Sequence, residues 1–185
     1  MKKNPSLLGL LIILGVLGII VIIYNLFLSK KDGYIIDNPT EQIIKMSINQ
    51  QEYTIAPQQQ VRLDLERGKH KIAYEFGNKK VDTVIEIRRP SGVINPTLSD
   101  YYVFTRPYGV RKNKDSIFTS HHIAIDNKAY LGMITKEDDL YIEDFYYNLD
   151  QDYPKIFLKS DEKKTDLSKI FNKEDFKQFY FENYE

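Results

Sequence analysis

The sequence predicts a mainly β protein: an N-terminal transmembrane helix, a small antiparallel β-sandwich, then a second β-rich unit with a C-terminal helix. Three observations predict it. Residues 7–28 form an uncharged apolar run of 22 residues, and a helix rising ~1.5 Å per residue crosses a ~30 Å hydrocarbon core over that length. Residues 44–87 alternate apolar and polar positions with period two, the pattern of half-buried antiparallel strands. Residues 171–180 carry a cap, two acids and an apolar stripe, the signature of a short docked helix. The organisation expected is 1–32 membrane anchor, 33–88 β-sandwich module and 99–185 β-rich unit with its helix.

The apolar run follows Lys2 and Lys3 and ends at Lys30 and Lys31. Secretory signals have apolar cores of ~7–15 residues and a small-residue cleavage site. The exit here, Tyr24-Asn25-Leu26-Phe27-Leu28-Ser29, has neither property, so an uncleaved anchor is expected. The short, lysine-bearing N-terminal tail places the N-terminus in the cytoplasm. The expected location is therefore the inner membrane, single-pass, with a periplasmic or extracytoplasmic C-terminal domain.

Composition narrows the chemistry. Cysteine is absent, which removes disulfide, zinc-thiolate and thiol chemistry. Four of the 26 basic residues flank the anchor, while all 26 acidic residues lie from Asp32 onward. The head keeps a net charge of about −4, which argues against a nucleic-acid partner. No Gly-x-Ser-x-Gly elbow, phosphate loop, dinucleotide fingerprint or His-Glu-x-x-His motif occurs.

The head opens with the clearest strands. Ile44, Met46 and Ile48 alternate with Lys45 and Ser47; Val61, Leu63 and Leu65 with Arg62 and Asp64. Ile72, Tyr74 and Phe76 alternate with Lys71 and Glu75; Val81, Thr83, Ile85 and Ile87 with Asp82 and Glu86. Turn pairs separate them at Asn38-Pro39, Asn49-Gln50, Ala56-Pro57, Arg67-Gly68 and Gly77-Asn78.

Residues 47–76, SINQQEYTIAPQQQVRLDLERGKHKIAYEF, resemble the PEGA-type and carboxypeptidase-regulatory-like β-sandwich modules. The matching positions are Pro57 in the turn, Leu63 and Leu65 in the following strand, and Gly68, His70 and Ile72 in a G-x-H-x-I strand. The PEGA tetrapeptide itself is missing, and Glu66-Arg67-Gly68 stands where those modules turn through Pro-Gly. The resemblance implies surface display, spacing or binding without catalysis.

Beyond it, Arg89-Pro90-Ser91-Gly92 and Asn95-Pro96-Thr97 read as a break over 89–99. Strands are expected at 101–105, 117–125, 129–133 and 155–159, with a hairpin turn at Asp126-Asn127-Lys128. Residues 140–149 fit both periods; a short strand at 140–142 followed by an irregular acidic segment is preferred over a helix capped by Thr135 and Asp138. The polar stretch 160–166 reads as a loop. Asn172 is a natural N-cap, Glu174 and Asp175 suit the first turn, and Phe171 with Phe176 forms a hydrophobic staple. Phe176, Phe179 and Tyr180 make the buried stripe.

Candidate sites are few. His121 and His122 are adjacent, so on a strand they point to opposite faces and share one metal ion poorly. No metal site is expected, and no cofactor. His70 reads as a turn residue. The acids Glu137, Asp138, Asp139, Glu143, Asp144, Asp150 and Asp152 cluster without calcium-loop spacing and read as a solvated face. Most of the 14 Tyr and 10 Phe follow residue 100. The segment 106–112 joins Arg106, Tyr108 and Arg111 on an expected loop, a composition favoured at protein interfaces. The expected function is a non-catalytic envelope module that binds or positions a protein partner, held by a single N-terminal membrane span. One alternative is an immunity-type or accessory protein masking an incoming toxin. The other is a membrane-tethered hydrolase, which requires His121 or His122 to meet an acid such as Asp126 in a pocket.

Overall fold

The computed structural model describes residues 5–23, 33–108, 121–153 and 165–184. The chain divides into two compact units, Met1–Lys31 and Asp32–Glu185. In the first, helix α1 runs Pro5–Ile23, 19 residues long. Proline suits its first position because an N–H there has no intrahelical partner. Leu10, Leu11, Ile13, Leu14, Val16, Leu17 and Ile19 through Ile22 are all exposed, so the helix is apolar all round rather than on one stripe. Residues 7–23 of the expected span lie in this 19-residue apolar helix. Among the described residues, no helix is long and apolar enough to cross a membrane. Residues 24–28, the rest of the run, lie outside the described residues.

The second unit is built of small sheets. The first contains β1 (Gly33–Asn38), β4 (Gln59–Leu63), β7 (Ser91–Ile94) and β12 (Tyr141–Ile142), in the order β12-β7-β1-β4. The second contains β2 (Ile44–Ile48), β3 (Gln51–Ile55), β5 (Gly68–Phe76) and β6 (Lys79–Ile87), in the order β3-β2-β5-β6. Four of these strands, β2, β4, β5 and β6, coincide with the alternating runs read from the sequence, while β1 and β3 were not expected from it. Asn49 and Gln50 take positive φ between β2 and β3, and Gly77 does so between β5 and β6, as tight hairpins require. Tyr34, Ile36, Ile44, Met46, Ile48, Ile55, Ile72 and Ile87 form the core between the two sheets.

β1 is buried on both faces. Tyr34 and Ile36 enter the core just described, while Asp37, on the opposite face, reaches Tyr101 of β8 (Tyr101–Tyr108). β8 is the middle strand of a third sheet, between β11 (Met133–Glu137) and β13 (Thr165–Asn172). Val93 of β7 and Ile142 of β12 pack with Tyr101, Val103, Phe145 and Ile170 in a second core. The first sheet is therefore a middle layer with apolar contacts above and below, and such strands lose the alternation of half-buried ones.

That burial corrects the break expected at 89–99. Ser91–Ile94 is a fully buried strand pairing parallel to β1 and antiparallel to β12. Gly92 is required there, since a Cβ would fall 2.5 Å from Cε2 of Tyr141. The loop expected at 160–166 is corrected in part: β13 begins at Thr165 and pairs with β8 through Asn172. The expected hairpin forms, β9 (His122–Ile125) turning into β10 (Lys128–Leu131), but in place of one strand running to Met133 the chain turns at Gly132 into β11. Asp126 and Asn127 supply the positive-φ turn between β9 and β10. Thr135 sits on β11, so it caps no helix. The strand expected at 155–159, and residues 117–120 of another, lie outside the described residues.

Helix α2 (Lys173–Tyr184) closes the unit. The Asp175 N–H donates to Asn172 Oδ1 at 2.9 Å, the expected cap, and the Phe171 and Phe176 rings stand 6.0 Å apart as the staple. Phe176 and Tyr180 then dock onto Tyr102, Phe104, Ile125, Tyr130 and Phe171.

Candidate functional site

A cleft of about 690 Å³ lies where β1 meets the start of α2. Asp37, Gln60, Ser99, Asp100, Lys173, Glu174 and Asp175 are among its lining residues. Asp37 is 2% exposed, and its Oδ2 accepts a 2.6 Å hydrogen bond from the Tyr101 hydroxyl. Burial pushes its pKa up to about 6; the Tyr101 bond opposes that rise and the Asp175 charge adds to it. Burial and the Asp37 charge in turn raise the Tyr101 phenol well above its ordinary range.

Four acids face one lysine, and that lysine is engaged elsewhere: Lys173 Nζ meets Asp126 Oδ1 at 2.6 Å. Asp100 pairs with Lys136 at 2.8 Å. The cleft thus favours a cationic group over an anionic one. Among the described residues that line it, the one hydroxyl side chain, Ser99, bonds to Thr97 at 2.7 Å, and there is no histidine.

Asp37 supplies a pH signature. A carboxyl whose folded pKa is raised contributes no penalty below about pH 4, where it is protonated folded or unfolded. As pH rises through about 6, the folded state must ionise a buried acid, and stability is lost. Asp37→Asn keeps an acceptor for Tyr101 without that charge. It is expected to gain on the parent between pH 4 and 6 and to stay about 2 kcal/mol more stable at pH 8. Denaturant melts of both proteins at pH 4 and pH 8 check this; equal differences at the two pH values would contradict it.

The residues singled out by sequence are placed as follows. Arg106 and Tyr108 stand on β8, paired with Leu167 and Thr165 of β13, rather than on a loop. Arg111 lies outside the described residues. His121 and His122 line a separate cleft of about 410 Å³ with Thr105, Gly132, Met133, Ile134 and Thr135. Asp126 is not among that lining; its two carboxylate oxygens bind Lys173 at 2.6 Å and Lys177 at 2.5 Å. Among the described residues, no group of three or more His, Cys, Asp or Glu could hold a metal ion. His70, expected in a turn, is buried on β5. Its Nε2 donates to the Glu66 carbonyl at 2.8 Å, and its Nδ1 accepts from Asn49 at 2.7 Å.

The acidic stretch is mostly exposed as expected, with Asp138, Asp139, Asp144, Asp150 and Asp152 all facing solvent, but several of its members also bond neighbouring strands. Glu143 Oε2 accepts the backbone N–H groups of Arg88 and Arg89 at 3.1 and 3.2 Å. Asp150 meets Arg62 of β4 at 2.7 Å, and Asp144 meets Arg89 at 2.8 Å. Sequence reasoning missed three buried groups nearby. Asn148 donates to the carbonyls of Gly33 and Gly92 and to Ser91 Oγ. Asn38 ties the 39–42 turn to residues 55–56. Lys169 bonds the carbonyls of Asn148, Leu149 and Gln151. The only local signal for any of them was Asp37-Asn38 ending an otherwise apolar strand.

No family model, curated protein or solved structure matches the chain. The resemblance of residues 47–76 to β-sandwich modules therefore rests on their turn and strand pattern alone. That segment folds as the β2–β3 hairpin, then β4 in the first sheet, then β5 back in the second.

Proposed function

We propose that this chain is a membrane-anchored, non-catalytic β module that binds or positions a protein partner. One observation carries the reading: α1 presents leucine, isoleucine and valine on every side, each of the ten named above more than half exposed. Exposed apolar surface of that extent is stable only against hydrocarbon or another apolar surface. The second unit supports the non-catalytic part. Among the described residues, its buried polar groups Asp37, Asn38, His70, Ser91, Asn95, Asn148 and Lys169 all bond protein groups. The histidine pair and Asp126, which the hydrolase alternative needs together, serve different neighbourhoods. The proposal keeps the single-pass arrangement, with the β unit outside the cytoplasm.

Membrane partition tests the anchor. The full chain, expressed in bacteria, should stay with the membranes through an alkaline carbonate wash. Each Lys at the centre of a bilayer helix costs about 2.5–3.5 kcal/mol. A Leu14→Lys, Leu17→Lys variant should therefore move largely to the soluble fraction. Release of the parent chain by the same wash would sink the proposal.

A further inference from the structure

β6 is the longest edge strand among the described residues, nine residues bonded on one side to β5. Among the described residues, no backbone hydrogen bond from any element other than β5 reaches residues 79–87. An edge of this length is a template for a further strand unless its side chains forbid one. Here they select one. The outer row is Lys80, Asp82, Val84 and Glu86, with Val84 57% exposed; the inner row is Val81, Thr83, Ile85 and Ile87.

We propose that two copies of this chain pair β6 to β6, antiparallel, about a two-fold axis through Thr83. That pairing joins their two four-stranded sheets into one. The side chains discriminate among the registers. Centred on Thr83, Lys80 faces the partner's Glu86 twice by symmetry, Val81 faces the partner's Ile85, and Thr83 faces the partner's Thr83. Opposite charges, apolar pairs and threonine pairs at directly opposed positions each stabilise an antiparallel ladder. Centred on Val84, Lys80 meets the partner's Arg88 and Asp82 meets the partner's Glu86, both repulsive. Centred on Asp82, the aspartates oppose each other. In the favoured register Asp82 lies beside the partner's Val84, and its charge is already met by Lys71 at 3.2 Å. The ladder stops at Ile87, because Glu143 takes the next two N–H groups, those of Arg88 and Arg89. Charges of both signs along the strand discourage indiscriminate edge pairing while this self-complementary register is retained.

Because the chain has no cysteine, single cysteines report the register directly. Opposed residues of an antiparallel pair have Cα atoms ~4.5–5.5 Å apart, within disulfide range, whereas mates offset by two residues are beyond ~7 Å. Full-length protein in detergent micelles, oxidised with copper phenanthroline, should yield disulfide dimer for Thr83→Cys. The yield should be at least tenfold above that of Asp82→Cys or Val84→Cys. Lys80→Glu added to Thr83→Cys should cut the yield about tenfold, and Glu86→Lys added to both should restore it, with circular dichroism unchanged throughout. Equal yields at 82, 83 and 84, as association through α1 alone would give, overturn the proposal. So does a folded Thr83→Cys protein that forms no dimer, or a charge swap without effect.

Discussion

Lys169→Met lowers the unfolding free energy by about 3 kcal/mol. The Lys169 ammonium, on a residue 7% exposed, donates to the backbone carbonyls of Asn148 at 2.9 Å, Leu149 at 3.2 Å and Gln151 at 2.5 Å. It also lies 4.8 Å from the centre of the Phe171 ring. Burial depresses its pKa, with Asp152, Asp175 and Asp150 acting in the opposite sense, so the charge is held at a cost that its three bonds offset. Methionine keeps the stem and removes the donors. The Leu149 and Gln151 carbonyls then lose this donor at about 1–3 kcal/mol each, softened by water entering where the turn is half-exposed, while the Asn148 carbonyl keeps the Gln151 N–H at 3.1 Å. The relief of desolvation returns part of that loss. The measurement is the denaturant midpoint of the full chain in detergent, with an unchanged slope marking a loss of stability rather than of compactness. A shift under 1 kcal/mol would mean that the turn holds without Lys169.

Phe176→Ala costs more, about 4 kcal/mol, and loosens α2. Phe176 is fully buried, with ring centres 5.4 Å from Tyr102, 5.4 Å from Tyr130, and 6.0 Å from both Phe171 and Tyr180. Truncating a phenylalanine so enclosed removes its transfer energy and leaves a cavity that rigid neighbouring rings fill poorly. Phe181, one turn on, is 66% exposed, and Phe181→Ala should change stability by less than about 0.5 kcal/mol. Parallel melts followed by near-ultraviolet tyrosine signals separate the two. Equal effects would place α2's docking face elsewhere.

The fold was legible wherever one side of an element is buried and the other wet. β2, β5 and β6 show that alternation, and α2 announces itself through Asn172, Glu174 and Phe176. β7 was illegible because a strand buried on both faces has no alternation, and its four residues sit between prolines 90 and 96 that read as a break. β13 was hidden by Lys169, a lysine at a buried position, which made its start look like the end of a polar loop. The candidate cleft was less legible still. Composition drew attention to the paired histidines and the acidic run, but the cleft depends on Asp37 meeting Tyr101, 64 residues away. Nothing local marks such a pair; it exists because the first sheet is a middle layer and turns one face of β1 toward β8.

Membrane topology is the measurement that bears most directly on the anchored module. A reporter active only outside the cytoplasm, fused after Glu185, should be active in intact cells. It should lose activity when Leu14 and Leu17 are both replaced by lysine. An intact, expressed fusion of the parent chain that stays inactive would contradict the account and place the β unit with cytosolic partners.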